Sequence, residues 1–278
     1  MSNAPALLRL EDFAAIKVSG KDRLDFLQGQ LTQDMGKVTA ARAAPAAWCN
    51  RQGRVIGLMA ALEWNDATYL ALPAEISAAC VEGLGRFVLR AKVRIEPSAL
   101  PVFGCADADR LFPAAGEAWA CGSGSGYCAA RLPGPADRAL LLGNPPGALA
   151  NAADSGWTAE RWRLADIEAE IPWIGARTTE KFLAHSLNLD RSGAVSFTKG
   201  CYVGQEIIAR MEHRGTPKRR MRRVRLAGES GAEPGEKFQH PERGAITIIS
   251  AAPAGPHIEA LAEVRQPPPS GPNRQEQP

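Results

Sequence analysis

Glycine and proline punctuate this chain throughout, with 27 glycines and 21 prolines among 278 residues. Both residue types end helices and strands and favour turns, so the sequence calls for many short elements rather than a bundle of long helices. With 45% hydrophobic and 23% charged residues, the chain has the balance of a globular protein. Its length suits two or three modest domains better than one large core. No apolar run reaches the ~20 residues of a membrane span, and the opening MSNAPALLRLEDF is charged too early for an apolar leader. Six cysteines are scattered without a CxxC pair. Reduced thiols in a cytoplasmic setting, with no membrane contact, no structural zinc and no resident cluster, are therefore the expectation.

Periodicity divides the chain into units at 1–97, 98–220 and 221–265, followed by a tail at 266–278. In the first unit, Ile16 and Val18 form a short strand closed by Gly20, and Leu24, Leu27 and Leu31 recur at helical spacing. Ala46–Cys49 and Val55–Leu62 flank the hairpin link Asn50-Arg51-Gln52-Gly53, and Trp64-Asn65-Asp66 offers a second turn before Thr68–Leu72. Pro73 opens a second helix with Ile76, Cys80, Leu84 and Phe87 toward the core; Val93 and Ile95 end the unit as a strand. Helices interleaved with strands predict an α+β domain. In the second unit Val102–Ala106, Tyr127–Leu132 and Ala139–Leu142 read as strands. The stretch Gly122-Ser123-Gly124-Ser125-Gly126 lacks the Lys-Ser/Thr of a phosphate loop and reads as a flexible turn. A helix beginning at Thr158 stops before Pro172. Beyond Arg220, the β pieces Arg223–Leu226, Ala245–Ser250 and Ile258–Glu263 predict a small β domain, and QPPPSGPNRQEQP reads as a disordered tail.

The formal charge of +3 is too small an excess to point to nucleic acid. Its distribution is less even: Arg210, Arg214, Lys218, Arg219, Arg220, Arg222, Arg223 and Arg225 are opposed within that block only by Glu212. Such a block reads either as a solvated basic hairpin or as a surface for phosphates or a polyanionic ligand.

The densest chemistry lies in Ser196-Phe197-Thr198-Lys199-Gly200-Cys201-Tyr202-Val203-Gly204-Gln205-Glu206, where a cation, a thiol, a phenol, an amide and a carboxylate surround two glycines. The residues allow a ligand-contacting loop or a structural loop entering a helix at Val203–Met211. This run closely resembles the KGCYxGQE motif of the YgfZ folate-binding family, which is related to the aminomethyltransferase of the glycine cleavage system. The resemblance extends to Leu27-Gln28-Gly29-Gln30-Leu31-Thr32-Gln33-Asp34, to Cys49-Asn50-Arg51-Gln52-Gly53-Arg54, to Ile167-Glu168-Ala169-Glu170-Ile171-Pro172 and to Arg214-Gly215-Thr216-Pro217-Lys218-Arg219. Two departures stand out: Glu170 replaces a glycine usual in the I-E-x-G-x-P-like run, and little patterned sequence follows Glu263.

The resemblance implies an aminomethyltransferase-like α+β fold of three domains around a central opening, the last a small C-terminal β-barrel-like domain. It implies tetrahydrofolate or another reduced folate between the first two domains, with no stable metal. Gln30, Thr32, Asp34, Glu168, Lys199, Gly200, Tyr202, Gly204, Gln205, Glu206, Arg210 and Arg214 are its candidate folate or motif residues. Glu168 would face the pterin, where a carboxylate can accept from two ring nitrogens, and Arg210 or Arg214 the anionic tail. Cys201 is the candidate reactive group, because a cation such as Lys199 would favour its thiolate; ligand or partner recognition and simple packing are its other readings. One thiol cannot supply the four usual ligands of a stable cluster. The implied role is assembly, maintenance or repair of iron–sulfur enzymes, with those enzymes or assembly proteins as partners and an indirect effect on tRNA modification. Catalysis of its own stays open, and folate-dependent aminomethyl transfer and direct tRNA binding are the alternatives.

Overall fold

The computed structural model describes residues 6–112, 116–145, 157–214, 217–228 and 231–266. It opens with β1 (Ala6–Arg9) and β2 (Phe13–Ser19), followed by α1 (Arg23–Gln30), β3 (Ala44–Cys49), β4 (Val55–Trp64), β5 (Ala67–Pro73), α2 (Ala74–Gly85) and β6 (Arg94–Pro97). Five of these strands make an antiparallel sheet in the order β3-β4-β5-β2-β6. The turn from β4 to β5 is built by Asn65 and Asp66, both left-handed at φ 49° and 57°, the backbone that a two-residue hairpin link demands.

A second sheet takes β7 (Val102–Ala106), β8 (Cys121–Gly124), β9 (Tyr127–Arg131) and β10 (Arg138–Gly143), in the order β1-β7-β10-β9-β8. The chain's first strand thus pairs with β7 rather than with the sheet that follows it in sequence. The stretch Gly122–Gly126 departs from a flexible turn: Gly122 and Gly124 are paired strand residues of β8, and only Ser125 and Gly126 form the turn into β9. Phe87 departs too. It follows the end of α2 and is 41% exposed, while Ile76, Cys80 and Leu84 are buried as their spacing requires.

Helix α3 (Ala159–Glu168) is capped by the Thr158 hydroxyl, which accepts from the Arg161 amide. No regular element lies between α3 and α4 (Gln205–Arg214), yet much of that segment is buried. The last unit is a sheet of β11 (Arg219–Ala227), β12 (Lys237–His240), β13 (Gly244–Ala254) and β14 (His257–Arg265), in the order β11-β14-β13-β12. A bulge between Ile248 and Ser250 bends β13, and the edge strands β11 and β12 line one groove of about 660 Å³.

Helices α1 and α2 cover one face of the first sheet, where Leu27, Ile76 and Leu84 meet Ile16, Met59 and Leu72. The other face belongs to a core shared by the whole molecule: Ala47, Leu58 and Leu62 join Leu140 and Leu142 of the second sheet, Trp162 and Ile167 of α3, and Ile249 and Leu261 of the third sheet. Helix α3 therefore sits where the three units meet, and the end of α3 is the natural place for a site. No described helix is long and apolar enough to cross a membrane.

Candidate functional site

The KGCY loop is tied to the segment that follows α1. The Thr32 hydroxyl, fully buried, donates to the Ala194 carbonyl at 2.6 Å and accepts from the Ala47 amide at 2.9 Å. The Lys199 Nζ donates to the carbonyls of Leu31 and Gln33 at 2.7 and 2.6 Å and lies 5.1 Å from the centre of the Tyr202 ring. Burial pulls the Lys199 ammonium down to about 8, partly opposed by the negative charge of Asp34. Asp34 accepts from the Gln28 side chain at 3.0 Å and caps the turn at Met35–Lys37. Tyr202 is buried, which pushes its pKa up, and its hydroxyl has no hydrogen-bond partner among the described residues. Gln30, directly before Leu31, has a buried side-chain oxygen that is likewise unpartnered among them.

The two motif glycines differ. Gly204, at φ 85°, sits where a Cβ would come within 2.5 Å of the Asn50 carbonyl oxygen, so it lets the start of α4 close on the β3–β4 hairpin. A Cβ on Gly200 would meet nothing within 4 Å. Cys201 is exposed, whereas Cys49, Cys80, Cys105 and Cys128 are buried; burial pushes the Cys49 and Cys80 thiols up to about 12. The Lys199 ammonium is directed at two carbonyls and a ring face.

A cavity of about 560 Å³ lies at the meeting point of the units. Arg42 lines it from before β3, Trp119 from before β8, Glu170 from the end of α3, Asn188 and Arg191 from the irregular segment, and Arg222 from β11. Three of these have left-handed backbone: Trp119 at φ 69°, Glu170 at 53° and Asn188 at 58°. Asn tolerates that region, but for Trp and Glu it costs about 1–2 kcal/mol each, and strain of this kind gathers at ligand sites. It also explains why glycine suits the position of Glu170. Glu168 is adjacent rather than lining: its side chain is 34% exposed and lies 3.8 Å from Arg223.

The basic block of the sequence is largely neutralised in the fold. Arg210 pairs with Glu206 one turn away on α4 at 3.0 Å, both side chains well exposed, while Arg219 faces Glu263 at 3.6 Å. Arg220 is buried and holds both oxygens of Asp190 at 2.9 Å. Arg223 and Arg225 share Glu259 at 2.7 and 3.1 Å. Burial opposes ionisation of Glu259, but the hydrogen bonds and charges of the two arginines outweigh it and hold the carboxyl below its usual range. The Arg214 side chain lies outside the described residues. His185, Asp190 and Glu212 bring possible ligand atoms within 4.8 Å of one another, but the Asp190 carboxylate is taken by Arg220 and His185 faces Glu212 at 3.3 Å.

No protein-family model matches the chain. A tRNA-modifying protein YgfZ of Edwardsiella ictaluri is 32% identical over 241 residues, covering 80% of this chain and 72% of that protein. The chain belongs to the YgfZ family. Members so named from Yersinia pestis and Colwellia psychrerythraea are 27% and 28% identical, spanning 72% and 69% of those proteins. The fold matches the glycine cleavage system aminomethyltransferase T of Bartonella henselae, with a TM-score of 0.72 at 16% identity, covering 95% of this chain and 79% of that one.

For this YgfZ-family chain, the structure brings Thr32, Lys199 and Tyr202 together, with Gly204 at the hairpin, and puts Glu168 at the end of α3 beside the cavity. Gln205 begins α4, and Glu206 and Arg210 face solvent. Trp119, Asn188 and Arg191 escaped sequence reasoning, because nothing local marks a tryptophan for left-handed backbone or an irregular segment for a cavity wall.

Proposed function

We propose that the chain binds a reduced folate in the cavity at the end of α3 and serves iron–sulfur enzymes as a cytoplasmic accessory protein, supporting tRNA modification indirectly. The observation that carries the reading is the cavity itself, in a member of a family whose relatives are named tRNA-modifying proteins. Its 560 Å³ lies within the ~300–1,000 Å³ of small-molecule sites. The residues fit the ligand's chemistry. Pterin presents neighbouring N–H donors, which suit the carboxylates of Glu170 and Glu168; the loose 3.8 Å contact to Arg223 leaves the Glu168 oxygens able to accept. Trp119 and Met221 supply apolar surface for the flat rings. Arg191 has no ion-pair partner among the described residues, and Arg222 reaches only Gln266 at 3.3 Å, so both can meet an anionic tail.

Reduced folate would bring one-carbon carrying capacity to this site. The protein's own share is to orient the ring system and keep it from bulk water. Exposed Cys201 is the thiol that a client could reach. Gentle purification followed by absorbance and mass detection tests the reading. Recovery of a folate is expected, and recovery of a flavin or nicotinamide instead contradicts it.

A further inference from the structure

We infer that a second cavity, of about 450 Å³ between the β3–β4 hairpin, the segment at Lys181–Ser186 and the start of β11, is a binding site for a phosphate group. Four cations line it, Arg54, Lys181, Lys218 and Arg219, against one carboxylate, Glu263, which Arg219 already holds at 3.6 Å. The other three cations pair with no acid among the described residues. Arg54 spends its guanidinium on the backbone carbonyls of Lys181 and Glu180 at 2.6 and 3.5 Å. Lys181 donates to the Gly235 carbonyl at 3.1 Å, and Lys218 has no side-chain partner among the described residues. Carbonyls orient a cation without cancelling its charge, so the cavity keeps a net positive field.

These cations come from three separated stretches of sequence, and only Lys218 and Arg219 belong to the basic block, whose other members are mostly paired with acids. A group carrying up to two negative charges and several acceptor oxygens matches a guanidinium fork and two ammonium groups better than a single carboxylate does. Leu183, Met211 and Pro217 line the same space and give an organic body a surface to rest on. The ligand class is therefore a phosphate ester, supplied either by a small phosphorylated molecule or by an RNA backbone. This site shares no lining residue with the proposed folate cavity, so its failure would leave that proposal standing.

The test uses the intact protein, calorimetry with inorganic pyrophosphate, and anisotropy of a short labelled single-stranded RNA at about 50 mM salt, where phosphate contacts are strong. Lys181→Gln with Lys218→Gln is compared with Arg90→Gln with Arg243→Gln, which removes the same charge from elsewhere on the surface. Saturable pyrophosphate binding, weakened at least ~10-fold in the first double variant and not in the second, is expected. RNA that competes with pyrophosphate and shows the same dependence assigns the phosphate to a nucleic-acid backbone; pyrophosphate binding without RNA binding assigns it to a small ester. Lys218→Glu alters an exposed side chain with no partner among the described residues and should remove binding with the melting temperature unchanged. The site is overturned by an absence of saturable binding to either probe, by equal weakening in both double variants, or by full binding in Lys218→Glu.

Discussion

At the scale of single residues, the KGCY motif separates into parts that shape the loop and parts left free for chemistry. Gly204→Ala forces a side chain into left-handed backbone and against the Asn50 carbonyl, and should cost about 2 kcal/mol or more, whereas Gly200→Ala should stay within about 0.5 kcal/mol. Urea unfolding of the two variants checks the contrast. Lys199 adds a pH signature. Its pKa falls from 10.5 in the ordinary side chain to about 8 in the fold, chiefly through burial. Between those values the unfolded chain holds more proton than the native one, so this group makes the fold more stable as pH rises from about 8 to 10.5. Below about 8 both states are charged and the slope vanishes. The stability difference between wild type and Lys199→Met should therefore grow in favour of wild type across that window; a flat difference would remove the buried-amine reading. Cys201→Ser should keep normal stability and folate binding while losing rescue of an iron–sulfur enzyme in cells lacking the protein, because the thiol is exposed. Rescue that stays intact would eliminate the reactive thiol. The motif was legible in sequence, but its partners were not, since Lys199 reaches carbonyls at Leu31 and Gln33 that only tertiary structure brings near.

At the scale of elements, α3 is fastened to the second sheet by one buried ion pair. Arg138, fully buried on β10, donates to Asp166 at 2.6 Å and to the Ala165 carbonyl at 3.0 Å, with its guanidinium 4.8 Å from the centre of the Trp162 ring. Arg138→Met leaves an unpaired buried carboxylate and should cost about 3–5 kcal/mol, while Arg138→Met with Asp166→Leu should recover most of the loss. Thermal melts of the single and double variants separate these outcomes, and a double variant as unstable as the single one would mean that the pair does more than neutralise itself. Strands and helices with a clear period, such as β4, β5 and α2, were legible in sequence. Phe87 was misplaced because its helical spacing continues past the last turn of α2, and Gly122 and Gly124 because glycine signals a turn even where neighbouring strands pair it. The segment between α3 and α4 has no period to read; its folding is set by polar anchors such as Thr179, whose hydroxyl donates to the Ile56 carbonyl, and Asn188, which donates to the Met221 carbonyl, partners distant in sequence.

At the scale of the whole molecule, three sheets share one core around α3, and the cavity at the end of that helix draws residues from every unit. A site assembled in this way leaves only fragments in the sequence. Glu168 and Glu170 could be singled out from their run, whereas Arg42, Trp119, Arg191 and Arg222 stand in four stretches with no common local pattern. Titration calorimetry of tetrahydrofolate into the intact protein tests the central claim most directly, with Glu168→Gln and Glu170→Gln as the comparison. The account expects one saturable site in the wild type, with binding weakened by about 1–3 kcal/mol in at least one of the two variants as a pterin-facing carboxylate is lost. No saturable binding, or the same affinity in all three proteins, would contradict it.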